Sequence, residues 1–113
     1  SKEDRLKSAI RNSRLCKLLS DQGIDVICCT ISMFDSIREW NRENIKNYFE
    51  IYLDVSLETL KDRKNIYLEN NDIVGINVLA EIPKNPDIVL DNNGSFSPIE
   101  QVEKILSYID LEV

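Results

Sequence analysis

At 113 residues and 13.1 kDa, with 42% hydrophobic and 30% charged residues, the chain is one domain's worth of globular protein, which excludes a disordered, collagen-like or linker-rich chain. A net charge of −6 and a pI of about 4.6 exclude a general nucleic-acid or anionic-membrane surface, since both need a basic field. No apolar run reaches the ~18 residues of a membrane span, and the opening SKEDRLKSAI is charged from the start, so neither a membrane anchor nor a signal peptide is expected.

The three cysteines, Cys16, Cys28 and Cys29, form no disulfide framework, and no histidine is present. A mixed cysteine–histidine zinc site and an all-cysteine tetrahedral site are both excluded, as are Ser-His-Asp and Cys-His catalysis. The simplest expectation is a cytoplasmic protein with three buried, reduced thiols and no metal site.

Ser1 and Asp4 form a capping box that opens a helix running to about Asp21, where Gly23 ends it. Residues 25–32 (DVICCTIS) are small, β-branched and unalternating, the pattern of a strand buried on both faces of a parallel sheet. A helix is predicted over 35–45, a strand over 49–55, and a helix from Leu57 to about Tyr67 with Ser56 as its N-cap. Residues 68–86 read as polar and irregular, and 87–90 (DIVL) as a short strand. Ser97, Pro98 and Glu100 make a second capping box, opening a helix with Ile99, Val102, Leu106 and Ile109 on one face. Strands alternating with helices predict an α/β fold with parallel strands and ligands at the strands' carboxyl ends, here residues 31–34 and 54–56.

Three stretches carry a family resemblance. The first is Ser1–Arg5 followed by Cys16–Gly23, and the second Ile31–Phe34, Ile37-Arg38 and Phe49–Glu58. The third is Lys61–Tyr67 with Gly75-Ile76-Asn77 and Asn85-Pro86-Asp87. In this order they resemble the adenylylsulfate kinase phrases FSxxDR, AKLFxDAG, ISPF, FxEVYVDxPLE, RDxKGLY and GID…NPE. The resemblance implies a P-loop kinase fold, a three-layer α/β structure around a parallel sheet, with residues 1–113 as the C-terminal part of one domain and a lid at about 61–83. The family's phosphate loop, G-x-x-x-x-G-K-S/T, and its DGD segment are absent from the sequence. Their strand would be central, so the sheet is expected to be incomplete, and the chain alone inactive and aggregation-prone.

The resemblance also implies site residues. Arg5, by itself a solvated charge beside Asp4, matches the family's substrate-binding arginine, whose fork suits a phosphosulfate. Ser8, one turn later, stands where the family has a nucleotide-contacting Asn. Ile10 and Asn12 also depart from the family pattern there. Ile31, Ser32 and Phe34 fall at the strand end beside the nucleotide. Ser32, otherwise a helix-capping hydroxyl, matches a serine assigned a covalent catalytic role; in-line transfer favours a positioning role instead. Phe34 reads as core or as a stacking partner for the base. Lys64 matches a substrate-reaching lysine, Lys61 an arginine near ATP, and Asp72 and Ile73 the lid backbone at the nucleotide. Ala80 replaces an aromatic.

The implied activity is ATP-dependent, Mg²⁺-assisted phosphorylation of the 3′-hydroxyl of adenosine 5′-phosphosulfate, for sulfate assimilation. Its partners would be a small nucleotide and a second copy of the chain, with no nucleic acid or membrane. Two alternatives stand beside it: a related kinase acting on another activated nucleotide such as cytidine diphosphoramidate, and a non-catalytic nucleotide-binding remnant.

Overall fold

The computed structural model describes residues 1–31, 34–63 and 81–112. In chain order its elements are α1 (Lys2–Asp21), α2 (Asp35–Asn44), β1 (Ile51–Asp54), α3 (Leu57–Arg63), β2 (Ile88–Asp91) and α4 (Pro98–Glu112). The described residues gather into two compact units, one of 1–31, 34–48 and 81–84, the other of 49–63 and 85–112.

In the first unit, α1 packs against α2. The start of α1 is capped locally: Ser1 Oγ accepts from the Asp4 N–H at 3.3 Å and donates to the Asp4 carboxylate at 2.8 Å. The end is a Schellman turn, with Ile24 N–H donating to the Leu19 carbonyl at 3.2 Å and Gly23 N–H to Ser20 at 2.9 Å. Gly23 takes φ 80°, a left-handed conformation that costs glycine little. Among the described residues of this unit, Ala9, Ser13 and Phe34 are buried.

The strand expected over 25–32 does not form in residues 25–31. Ile27 is 92% exposed and Ile31 67% exposed, and Cys28 and Cys29 are exposed rather than buried. A strand is stabilised by its ladder partners, and this unit holds no other strand among its described residues. Cys16, on α1, is half-buried.

The second unit holds the sheet. β1 and β2 pair in parallel, with Ile51 opposite Ile88, Leu53 opposite Leu90 and Asp54 opposite Asp91. Parallel pairing requires a crossover connection, and α3 lies between the two strands in the sequence. Helix α4 packs on β2. It opens with a reciprocal capping box: Ser97 N–H donates to Glu100 Oε1 at 3.0 Å, and Glu100 N–H to Ser97 Oγ at 3.2 Å. The apolar face predicted for α4 stays largely uncovered, with Ile99, Val102 and Leu106 all exposed. The helix predicted from Leu57 is present to Arg63, and Ser56 Oγ caps it by accepting from Thr59 N–H at 3.1 Å.

Candidate functional site

The first unit carries Arg5, Ser8, Ile31 and Phe34. Arg5 and Ser8 are three residues apart on the first turns of α1, so they share a face. Arg5 is half-buried and Ser8 exposed. Ile31 ends the exposed apolar run, whereas Phe34 is buried and forms the N-cap of α2. Helices α1 and α2 line an open cleft of about 240 Å³, with Leu6, Ile10, Ser13 and Arg14 on one side and Ser36, Ile37 and Trp40 on the other. It lies on the helix pair that holds Arg5, Ser8 and Phe34, and its lining is mainly apolar with two hydroxyls and one guanidinium.

Phe34 has no side-chain group to cap a helix, and the first N–H of α2 is satisfied from elsewhere: Asp35 N–H donates to Glu81 Oε1 at 3.2 Å. Arg38, one turn into α2, donates through Nη2 to both Asp35 Oδ1 and the Glu81 carbonyl. Lys84 Nζ lies 3.7 Å from Asp35 Oδ2. Two cations and two carboxylates thus form a closed group in which the Arg38 side chain is 14% exposed and that of Asp35 24%. Sequence reasoning gave these residues no role. Asp35 and Arg38 have ordinary helical spacing, and no local signal ties them to a glutamate 46 residues away.

In the second unit, polar residues collect at the carboxyl ends of both strands. Ser56 N–H donates to Asn93 Oδ1 at 2.8 Å, and Asn92 N–H donates to the Asp54 carbonyl at 2.8 Å. The Gln101 amide donates to Asn92 Oδ1 at 3.1 Å and to the Asp91 carbonyl at 3.3 Å. Lys61 is exposed in the last turn of α3. Ser32, Lys64, Asp72 and Ile73 lie outside the described residues, as do Ala80 and most of the expected lid. Among the described residues, no three cysteine or carboxylate side chains are placed to hold a metal ion. None of the described helices is long and apolar enough to cross a membrane.

Parallel strands, an intervening helix and polar loops at the strands' carboxyl ends define an α/β protein of the kind that binds ligands at its strand ends. The chain belongs to the adenylylsulphate kinase family, whose model matches residues 1–91. It is similar to a cytidine diphosphoramidate kinase from Campylobacter jejuni, 33% identical and covering 97% of this chain and 68% of that protein. It is also similar to adenylyl-sulfate kinases from Clostridium kluyveri, 35% identical over 100% of this chain and 60% of that protein, and Thermodesulfovibrio yellowstonii, 38% identical over 95% of this chain and 58% of that protein. The chain therefore spans about 58–68% of the length of these curated relatives.

Proposed function

We propose that these residues belong to an ATP-dependent kinase that phosphorylates the 3′-hydroxyl of adenosine 5′-phosphosulfate, yielding 3′-phosphoadenosine 5′-phosphosulfate and ADP. The observation that carries this reading is the family match over residues 1–91, supported by relatives named adenylyl-sulfate kinase. In the reaction the 3′-oxygen attacks the γ-phosphorus of ATP, the bond to the bridging oxygen breaks, ADP leaves and the hydroxyl proton passes to solvent. Such transfer depends on positioning and charge stabilisation. Arg5 and Lys64 are assigned to the phosphosulfate, Ser8, Ile31, Phe34, Asp72 and Ile73 to the nucleoside, and Ser32 to positioning at the strand end. Lys61 is assigned to the ATP phosphates.

The phosphate loop and its central strand are assigned to sequence outside these 113 residues, completing a three-layer sheet. The uncovered run at 25–31 supports this, because apolar backbone of that kind is stable only when paired on both sides. Mg²⁺ is proposed to reach the site with the ATP phosphates, where it would neutralise charge on the moving phosphoryl group. A cytoplasmic homodimer is the proposed working form.

A second reading keeps the chemistry and changes the acceptor to cytidine diphosphoramidate. The Campylobacter jejuni relative favours it, as does Ser8 in place of an amide. The deciding experiment assays the protein, with its natural flanking sequence, for ATP-dependent turnover of both nucleotides. Turnover of the phosphosulfate supports the first reading and preference for the cytidine nucleotide the second. Absence of Mg·ATP binding and of turnover supports a non-catalytic remnant.

A further inference from the structure

Helix α2 begins directly after Phe34, yet nothing local to the sequence secures that beginning. Its N-cap residue is an aromatic with no acceptor, and its first free N–H is satisfied by the Glu81 carboxylate. A carboxylate at that place also meets the positive end of the helix dipole. Arg38 closes the arrangement by binding the Asp35 carboxylate and the Glu81 main-chain carbonyl with one nitrogen. Without its guanidinium, the Asp35 carboxylate would keep, among the described residues, an ion pair to Lys84 alone, at 3.7 Å and with that lysine 68% exposed, and the Glu81 carbonyl would lose the Arg38 donor. The direct result would be a loosened helix start and a displaced Phe34.

We propose that Arg38 is a positioning residue for the acceptor nucleotide: through Asp35 and Glu81 it holds the start of α2, and with it Phe34, in the place where the nucleoside is met. This rests on the reading of Ile31 and Phe34 as part of the acceptor site. Arg38 itself touches neither the nucleotide nor ATP. Its loss therefore acts on acceptor binding and leaves the ATP side unchanged, which a general loss of structure would not do.

The test uses the full-length protein with Arg38→Met, which keeps an unbranched apolar stem, and Arg38→Lys, which keeps the charge. Steady-state kinetics give KM for each substrate, and isothermal titration calorimetry reports acceptor binding without turnover. Arg38→Met is expected to raise the acceptor KM by about tenfold while the KM for ATP stays within about twofold, and Arg38→Lys to recover most of the loss. If Arg38→Met does not fold, the two KM values of Arg38→Gln, which lacks the charge but keeps a polar donor, decide by the same split. Equal changes in both KM values, or no change in either, overturn the proposal while leaving the kinase reading intact. An unmodified protein that turns over neither nucleotide overturns the kinase reading, and this proposal with it.

Discussion

Glu50 and Asp87 meet across 37 residues of sequence in a reciprocal pair: Glu50 N–H donates to Asp87 Oδ2 at 2.7 Å, and Asp87 N–H donates to the Glu50 carbonyl at 2.8 Å. The contact stands at the entrance of the parallel ladder, one residue before β1 and β2 begin, so it sets their register. The second Asp87 oxygen accepts from the Tyr108 hydroxyl of α4 at 3.2 Å. One carboxylate therefore ties both strand entrances and a helix together.

Replacing Asp87 by Ala should destabilise the protein by about 1–3 kcal/mol, because a part-buried N–H and a hydroxyl lose a charged acceptor. Tyr108→Phe should cost less, since its ring keeps the edge-on contact with Phe49 at 5.8 Å between centroids. Urea unfolding followed by far-ultraviolet circular dichroism measures both; equal losses would show that the Tyr108 hydroxyl bond, and not the bond from Glu50 N–H, carries the effect of Asp87.

The capping box of α4 makes a pH prediction. The hydrogen bonds from Ser97, backbone first, hold the Glu100 carboxyl below the ordinary value of 4.5. A carboxyl lowered in the folded state stabilises fully above its unfolded value, and the contribution fades as pH falls through the folded value. The helix start should accordingly be fully capped above pH 4.5 and loosen on acidification below it. Carbon-13 titration should show Glu100 protonating below 4.5, and Ser97→Ala, which removes the hydroxyl but keeps the backbone N–H contact, should move it only part of the way back. Protonation of Glu100 at or above 4.5 would refute it.

Thiol reactivity should follow position. Burial first, and the neighbouring Cys28 thiol second, raise the Cys16 thiol above its ordinary value of 9.0. Less thiolate and less access both slow alkylation. Iodoacetamide at pH 8 should modify the exposed Cys28 and Cys29 before Cys16, as read by peptide mass spectrometry over time. Labelling of Cys16 first would contradict the packing of α1.

For the proposed kinase, Arg5→Ala should lower kcat/KM for the acceptor by about ten- to a hundredfold with little change for ATP, the loss expected from one charge-assisted contact. Ser8→Asn separates the two acceptor readings. It should hold or improve turnover of adenosine 5′-phosphosulfate if that is the substrate, and harm turnover of the cytidine nucleotide if that is. Unchanged kinetics of Arg5→Ala on both would remove α1 from the acceptor site.

Local chemistry was enough to read the helices and two of the strands. Ser1 with Asp4, Gly23, Ser56, and Ser97 with Glu100 act within four residues of themselves, so the sequence displays both partners of each cap. The largely apolar runs at 51–54 and 88–91 became strands because each supplies the other's ladder. The run at 25–31, richer in β-branched residues, forms no strand, with Ile27 almost wholly exposed. Strand formation there depends on a neighbour, which composition cannot reveal. Resemblance was enough to name Arg5, Ser8 and Phe34 as candidates and to identify the family. That Glu81 caps α2, that Arg38 joins Asp35 to the Glu81 carbonyl, and that Asp87 sets the strand register were decided only by tertiary structure. In each case a backbone group left unsatisfied by its own neighbours takes an acceptor, or an exposed charge a partner, from a segment more than thirty residues away, and no periodicity encodes that distance.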